Sequence, residues 1–328
     1  MKSDPFRISV PARIHLTLLC LESKGYRRGG GFGFAIRPGY ECLFEPADRI
    51  EIADFRGSSP VHKTQTNFLR ELLCQLNGGE APGIRMTIES GHSPHVGLGS
   101  GTALALGAVE GWARMRGREM TPLEICRASG RGATSGIGVT TYFQGGFVFE
   151  VGSKQDGRQI QSSDRANGSF DRPLAMLAQG MPAWQIGLFQ PKDCYCVSPE
   201  VEDEVFRGAL PLSKEQVSEM LYEGVLGLVP AILEADLDCF CASLRRLQKT
   251  AWKAAERSLH DSWLPVAESI LYRTGALCCA LSSFGPSLLV VAEDEGSLGE
   301  LREAAAPVGR LTQISVQNVG RAIGPCLS

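Results

Sequence analysis

Apolar and polar residues alternate through the first fifty positions. Arg7 to Leu21, Phe34 to Phe44 and Ile50 to Ala53 alternate as strands do, and the glycine-rich stretch GYRRGGGFGF, Gly25 to Phe34, separates the first two. The period then changes. From Thr64 to Asn77 the apolar residues Phe68, Leu69, Leu72, Leu73 and Leu76 fall on one face of a helix, which Gly78 and Gly79 stop. Gly83 to Glu89 (GIRMTIE) returns to strand alternation. Ser100 to Arg116, with Leu104, Ala108 and Trp112 on one stripe, predicts a buried helix entered directly from a glycine-rich loop. Thr121-Pro122-Leu123-Glu124 is a capping box with proline at the first helical position, and Gly130 closes the helix it opens. A second glycine-rich turn, RGATSGIG, leads into the apolar strand Gly146 to Val151.

Past this point the pattern is mixed. Gln155 to Arg172 is polar and turn-rich, and marks the boundary between an expected N-terminal domain, 1–170, and a C-terminal one, 171–328. Strands are predicted at Trp184 to Gln190, Ala276 to Leu281, Ser287 to Ala292 and Arg310 to Gln317. Two or more helices fall within Ser213 to Ser258, and another at Ser297 to Ala306. Intermingled strands and helices without an internal repeat predict an α+β fold, and 328 residues suit two domains.

Composition narrows the function classes. The 38 glycines are about 12% of the chain, above the usual ~7%, so many backbone positions need positive φ or close approach. A net charge of −3 with no long run of either sign leaves no footprint for nucleic acid or a membrane surface. Asp4, Arg7, Arg13 and His15 interrupt any signal-peptide core, and no long apolar run occurs, so a soluble cytoplasmic protein is expected. Eleven cysteines, several inside apolar runs, read as reduced core thiols. The pairs Cys194/Cys196 and Cys239/Cys241 lack the partner spacing of a zinc site.

Pro94-His95-Val96-Gly97-Leu98-Gly99-Ser100-Gly101-Thr102-Ala103 carries the strongest chemical signal. Glycines that let backbone N–H groups converge at a helix start form an anion site, for which phosphate is the natural ligand. The spacing is neither the dinucleotide fingerprint nor a P-loop with its lysine. A tight strand-to-helix turn capped by Ser100 accounts for the same glycines, and the residues alone leave both readings open.

GLGSGTALALG resembles the phosphate loop of the GHMP kinase superfamily. Two further segments stand in the superfamily's order: PARIHLTLL, Pro11 to Leu19, and LSSFGPSLLVV, Leu281 to Val291. Within the superfamily the chain is most similar to the beta-ribofuranosylaminobenzene 5'-phosphate synthase family. The shared motifs are PAR-x-H, GG-x-G-x-A-I (Gly30 to Ile36), GLGSGT, RG-x-x-SGIG, GGF and SS-x-GP. The resemblance implies a two-domain GHMP kinase-like fold, with an N-terminal sheet carrying the phosphate-loop helix and a C-terminal α/β sandwich. It also implies a reaction of tetrahydromethanopterin biosynthesis. Phosphoribosyl pyrophosphate and 4-hydroxybenzoate or 4-aminobenzoate give an aryl riboside 5'-phosphate, carbon dioxide and pyrophosphate.

On this resemblance Gly97, Leu98, Gly99, Ser100, Gly101 and Thr102, with Arg13 and Arg131, are the expected phosphate-binding residues. Arg27, Arg28, Ser135, Gly136, Ser282, Ser283 and Gly285 are expected at the substrate, and His15, Ser100 and Glu150 in catalysis, with Mg²⁺ on the departing pyrophosphate. Bland readings stand beside these: His15 as a hydrogen-bonded structural histidine, His95 facing solvent, Arg27 and Arg28 as a solvated turn, and Ser282 to Pro286 as a strand connection. A homodimer is the base-rate expectation.

One residue separates the synthase from its kinase relatives. Where many superfamily kinases carry Ser-Gly-Ile-Asp, with the Asp as base, this chain has Ser135-Gly136-Ile137-Gly138; where kinases carry Lys, it has Arg13. The sequence also departs from the synthase pattern. Glu150-Val151-Gly152-Ser153 replaces Asp-Gly-Gly-His, and Ala103 stands where Gln is common. An ATP-dependent small-molecule kinase and a non-catalytic ligand sensor on the same fold are the alternatives.

Overall fold

Two long strands organise the N-terminal half. β1 (Phe6–Cys20) and β2 (Arg27–Ala47) run antiparallel, from Phe6 opposite Phe44 to Cys20 opposite Gly29, with irregularities at Val10/Ala12 and His15/Thr17. The structure, a computed structural model, describes residues 4–79, 83–157, 160–161, 173–193 and 196–326. β3 (Glu51–Asp54), α1 (Pro60–Asn77) and β4 (Gly83–Ser90) follow as a crossover unit, β3 and β4 being parallel with Glu51 opposite Arg85. α2 (Ser100–Met115), α3 (Pro122–Ser129) and α4 (Ile137–Gln144) precede β5 (Phe147–Glu150), β6 (Ser153–Lys154) and β7 (Ala175–Gln179).

The C-terminal half begins with β8 (Gln185–Pro191) and is mainly helical from α5 (Pro199–Ala209) to α10 (Leu264–Thr274). Between these lie α6 (Lys214–Leu221), a π-helical segment (Tyr222–Leu228), α7 (Val229–Glu234), α8 (Leu237–Leu247) and α9 (Ala251–Ser258). It closes with β9 (Cys278–Leu281), β10 (Leu288–Ala292), α11 (Glu295–Ala305), β11 (Gly309–Val316) and β12 (Ala322–Pro325). Strand order β12-β1-β2-β11-β8-β10-β9 links the two halves, because Ser315 and Val316 of β11 pair with Arg37 and Ile36 of β2. The expected α+β architecture is present; the boundary expected at 170 and 171 lies outside the described residues.

Several elements depart from the reading of the sequence. The glycine stretch after Tyr26 does not interrupt a strand: Arg27 to Phe34 belongs to β2, paired with β1 and β5. Its glycines serve close approach instead. A Cβ at Gly31 would run into the Thr17 carbonyl, and one at Gly33 would meet Ile14 and Ile137. The segment after RGATSG is also no mere turn, since Ile137 to Gln144 forms α4. Its IGVTTYFQ sequence is β-branched and aromatic, so propensity alone points to strand, and burial against β1, β2 and α2 overrides it. α5, α10, β7 and β12 were not anticipated.

The larger core lies where α2 packs on β1 and β2. Almost every residue of α2 from Ser100 to Ala113 is buried. At Gly111 the helix comes so close to the sheet that a Cβ would strike the Phe44 ring. A second core fills the space between β8, β9, β10, β11 and helices α10 and α11. The buried Glu110 of α2 accepts hydrogen bonds from Arg321 Nε (2.9 Å) and Nη2 (2.8 Å) and from the Tyr142 hydroxyl (2.7 Å). The pairing holds the Glu110 carboxyl below its ordinary value against the opposing effect of burial. Replacing Arg321 leaves most of a buried charge uncompensated. Arg321→Met is therefore expected to cost about 3 kcal/mol, measured by urea unfolding, with no change in unfolding cooperativity.

Candidate active site

Three segments that are far apart in sequence, β1 and two glycine-bearing loops, meet above the N-terminus of α2. The Arg13 amide donates to the Leu98 carbonyl (3.2 Å) and its guanidinium Nη1 to the Gly97 carbonyl (2.9 Å). The Ser282 hydroxyl donates to the same Gly97 carbonyl (2.7 Å) and accepts from the His15 amide (3.0 Å), while the Ser283 amide donates to the His15 carbonyl (2.9 Å). Gly97 and Gly99 adopt left-handed backbone at φ +83° and +76°. A side chain at Gly97 would run into the Ser282 carbonyl, and one at Gly99 would press on Arg13 at 2.9 Å.

These contacts border a cleft of about 330 Å³. Two helices point their N-termini at it, α2 through Gly99 to Thr102 and α4 through Ser135 and Gly138. The Ala103 amide is the first of α2 to find an intrahelical acceptor, the Gly99 carbonyl (3.0 Å), so the preceding N–H groups and the dipole face the opening. The Ser100 hydroxyl accepts from Gln65 Nε2 (3.2 Å) and is hydrogen-bonded to the Tyr40 phenol, which itself donates to the Leu98 carbonyl (3.4 Å). Arg13 and Arg131 supply positive charge, and Arg131 lies 4.7 Å over the Phe68 ring. Burial pulls the Arg13 pKa down from its ordinary value, an effect opposed by Tyr40, Glu202 and Glu256.

His15 sits at the end of a buried polar chain. Ser135 Oγ donates to Glu150 Oε1 (2.9 Å), so its lone pair faces His15 Nε2 at 3.3 Å and makes that ring nitrogen the protonated one. Nδ1 is then a bare lone pair, buried without a hydrogen-bond partner. Burial, with Arg13 and Lys253 nearby, holds the His15 pKa well below 6.5, so the imidazole is neutral at neutral pH. Glu150 also accepts from the Gly136 amide (2.5 Å) and fixes the start of α4.

Of the residues expected at the site, Arg13, His15, Gly97, Gly99, Ser100, Gly101, Thr102, Arg131, Ser135, Ser283 and Gly285 line the cleft together. Leu98, Gly136, Glu150 and Ser282 stand directly behind it, as backbone or hydroxyl support. Arg27 and Arg28 are not brought to it. Arg27 donates to the Val151 carbonyl (3.3 Å) and to the Gly152 carbonyl, and Arg28 pairs with Asp156 (3.2 Å) at the β2–β6 end of the sheet. His95 does line the cleft. Sequence reading missed Thr64, Gln65 and Phe68 of α1, Glu202 and Phe206 of α5, and Glu256 and Phe284. Phe284 lies inside a motif already singled out; Thr64, Gln65, Phe68 and Glu256 fall within segments read only as helices, and Glu202 and Phe206 lie on α5, for which the sequence carried no signal. Among the described residues no cluster of three or more metal-ligating side chains occurs, and the cysteines described are free thiols. Cys194 of the first C-x-C pair lies outside the described residues.

A helix N-terminus cradled by a glycine loop, with a second glycine loop closing from the C-terminal half, is the plan of the GHMP kinase fold. Residues 63–146 match the family of GHMP kinases N terminal domains. The chain is similar in structure to a homoserine kinase from Cytophaga hutchinsonii (TM-score 0.65, 19% identity, 99% of this chain and 98% of that one). It is likewise similar to L. major mevalonate kinase (TM-score 0.68, 13% identity, 95% of each chain). At such identities the likeness is one of fold. In sequence it is 28% identical over 321 residues to the beta-ribofuranosylphenol 5'-phosphate synthase of Methanothermobacter thermautotrophicus, covering 95% of this chain and 97% of the relative. The synthase of the same name from Archaeoglobus fulgidus is 28% identical over 289 residues, 88% of each chain. The chain is thus a relative of these synthases on a GHMP kinase-like fold, and an enzyme of the transferase type.

Gly99→Ala forces a side chain into left-handed backbone against Arg13, and a loss of about 1–2 kcal/mol of stability is expected by urea unfolding. Histidine burial sets a pH dependence as well. His15 and His260 have depressed pKa values in the folded state, so below about pH 6.5 the unfolded chain binds more protons than the folded one. The thermal midpoint is expected to fall as pH drops from about 7 to about 5.5, with a shallower slope in His15→Gln.

Proposed function

We propose that this enzyme is a decarboxylating phosphoribosyltransferase that joins phosphoribosyl pyrophosphate to 4-hydroxybenzoate or 4-aminobenzoate and releases carbon dioxide and pyrophosphate. The observation that carries the reading is the floor of the cleft. Two helix N-termini and two arginines face the opening there, while Gly138, beside Thr102 at the start of α4, puts no carboxylate among them. Such a floor receives a departing anion, and at Gly138 it lacks the carboxylate that the Ser-Gly-Ile-Asp pattern of superfamily kinases would place there.

In this reading the first turn of α2, the Ser100 hydroxyl and Arg13 hold the pyrophosphate, and Arg131 with its Phe68 support takes a second phosphate. The bond from ribose C1 to the pyrophosphate oxygen breaks, and its electron pair leaves with the pyrophosphate. The ring carbon bearing the carboxylate supplies the pair for the new bond to C1, pushed by the para hydroxyl or amine. The pair of the carboxyl bond then returns to the ring as carbon dioxide departs, which restores aromaticity. Neutral His15, held by the Ser135–Glu150 chain, takes up the para proton as the ring attacks and returns it to the para oxygen or nitrogen as carbon dioxide departs. Mg²⁺ would enter as a substrate-borne ion, with the carboxylate of Glu202 among the lining oxygens suited to it. When bound it neutralises charge on the leaving pyrophosphate.

Carboxyl-labelled 4-hydroxybenzoate or 4-aminobenzoate tests the proposal directly. Labelled carbon dioxide should appear only when phosphoribosyl pyrophosphate and Mg²⁺ are both present, with the aryl riboside phosphate found by mass spectrometry. Rapid formation of ADP and a phosphorylated alcohol from ATP would instead establish the kinase reading.

A further inference from the structure

The cleft has two unlike sides. Beyond the anion-binding floor, Phe206 of α5 and Phe284 of the loop after β9 both line the opening, and each is 5% exposed. Their ring centroids are 5.7 Å apart at 52°. Trp252 of α9 backs both, 5.0 Å from Phe206 and edge-on to Phe284 at 5.9 Å. The trio is rigidly held. The Trp252 indole donates to Glu256 Oε1 (3.0 Å), Glu256 pairs with buried Lys253, and Lys253 Nζ donates to the Leu281 carbonyl (2.8 Å) at the start of the loop that carries Phe284. Leu18 and Pro199 extend the apolar surface. Phe68, across the cleft, differs in that its face is taken by Arg131.

We propose that Phe206 and Phe284 form the subsite for the aromatic acceptor and select a flat, π-faced acid over a saturated one. The inference rests on the acceptor reading above and adds to it which residues choose the arene. A tilted pair of rings at the border of a cleft offers a third ring the offset or edge-to-face contacts that aromatic groups prefer. It also brings the arene into the same cleft as the anion floor, where C1 and the leaving pyrophosphate are held, so the two reactants meet within one site. Trp252 is a positioning residue, shielded from the cleft by the two phenylalanines.

The test compares binding of 4-hydroxybenzoate with that of 4-hydroxycyclohexanecarboxylate, its saturated analogue, by calorimetry in the presence of saturating pyrophosphate, which cannot react. The wild-type protein should prefer the aromatic acid by about 5- to 10-fold. In Phe206→Leu and Phe284→Leu the preference should shrink towards unity, while pyrophosphate affinity stays within about twofold. Phe206→Met keeps the volume and should behave as Phe206→Leu if the leucine variant folds poorly. Phe68→Leu should do the reverse, weakening pyrophosphate or phosphoribosyl pyrophosphate and leaving the aromatic preference intact. A preference retained in both wall variants would overturn this assignment and leave the acceptor reading standing. A wild-type protein that binds pyrophosphate but neither acid would overturn the acceptor reading, and the wall with it.

Discussion

The carbonyl of Gly97 is the point on which the cleft depends. It accepts from Arg13 Nη1 and from Ser282 Oγ, groups 84 and 185 residues away in sequence. Those two bonds tie β1, the phosphate loop and the C-terminal glycine loop into one rigid corner. Without them the first N–H groups of α2 would have no fixed aim, and Arg13 would have no fixed head position. Positive φ at Gly97 is what turns its carbonyl towards both donors, and lack of a Cβ is what admits the Ser282 backbone. Binding geometry of this kind is built before any ligand arrives, and so costs no reorganisation when charge develops on a departing group.

Burial sorts the ionisable groups around this corner into two kinds. Arg13 keeps its charge because a guanidinium stays protonated even when desolvated and because Glu202 and Glu256 lie near it. His15 loses its charge, because an imidazole begins close to neutral pH and nearby cations push it the same way. The Lys253–Glu256 pair is fully enclosed, and burial drives the lysine down and the glutamate up, towards their neutral forms. Its value to the fold is positional. Through Leu281 and Trp252 it connects the glycine loop and the aromatic side of the cleft to one anchor.

Much of this molecule was legible along the chain. The strand alternation of Arg7 to Leu21, the stripe of Leu104, Ala108 and Trp112 and the capping box at Thr121 all predicted elements that formed, the last with both reciprocal bonds in place. Each of these signals is local: the residues that specify the element are the ones that make it. The phosphate-loop glycines belong with them, because a left-handed turn before a helix demands glycine whatever surrounds it. The resemblance of short motifs to the synthases could likewise be read without a structure, since motifs are strings.

What lay beyond reach was set by partners distant in sequence. Helix α4 forms from strand-like residues because a hydrophobic slot between β1, β2 and α2 rewards burial more than propensity opposes it. Arg27 and Arg28 read as candidate anion clamps, yet their strand carries them to the Val151–Asp156 edge and away from the cleft. Phe206, Phe284 and Trp252 come from three separate segments, and no periodicity marks them as neighbours. The chain alone therefore determined the elements, the phosphate loop and the family resemblance, whose information is held in adjacent residues. Tertiary structure alone decided which side chains share the cleft, because that depends on packing between residues far apart in the chain.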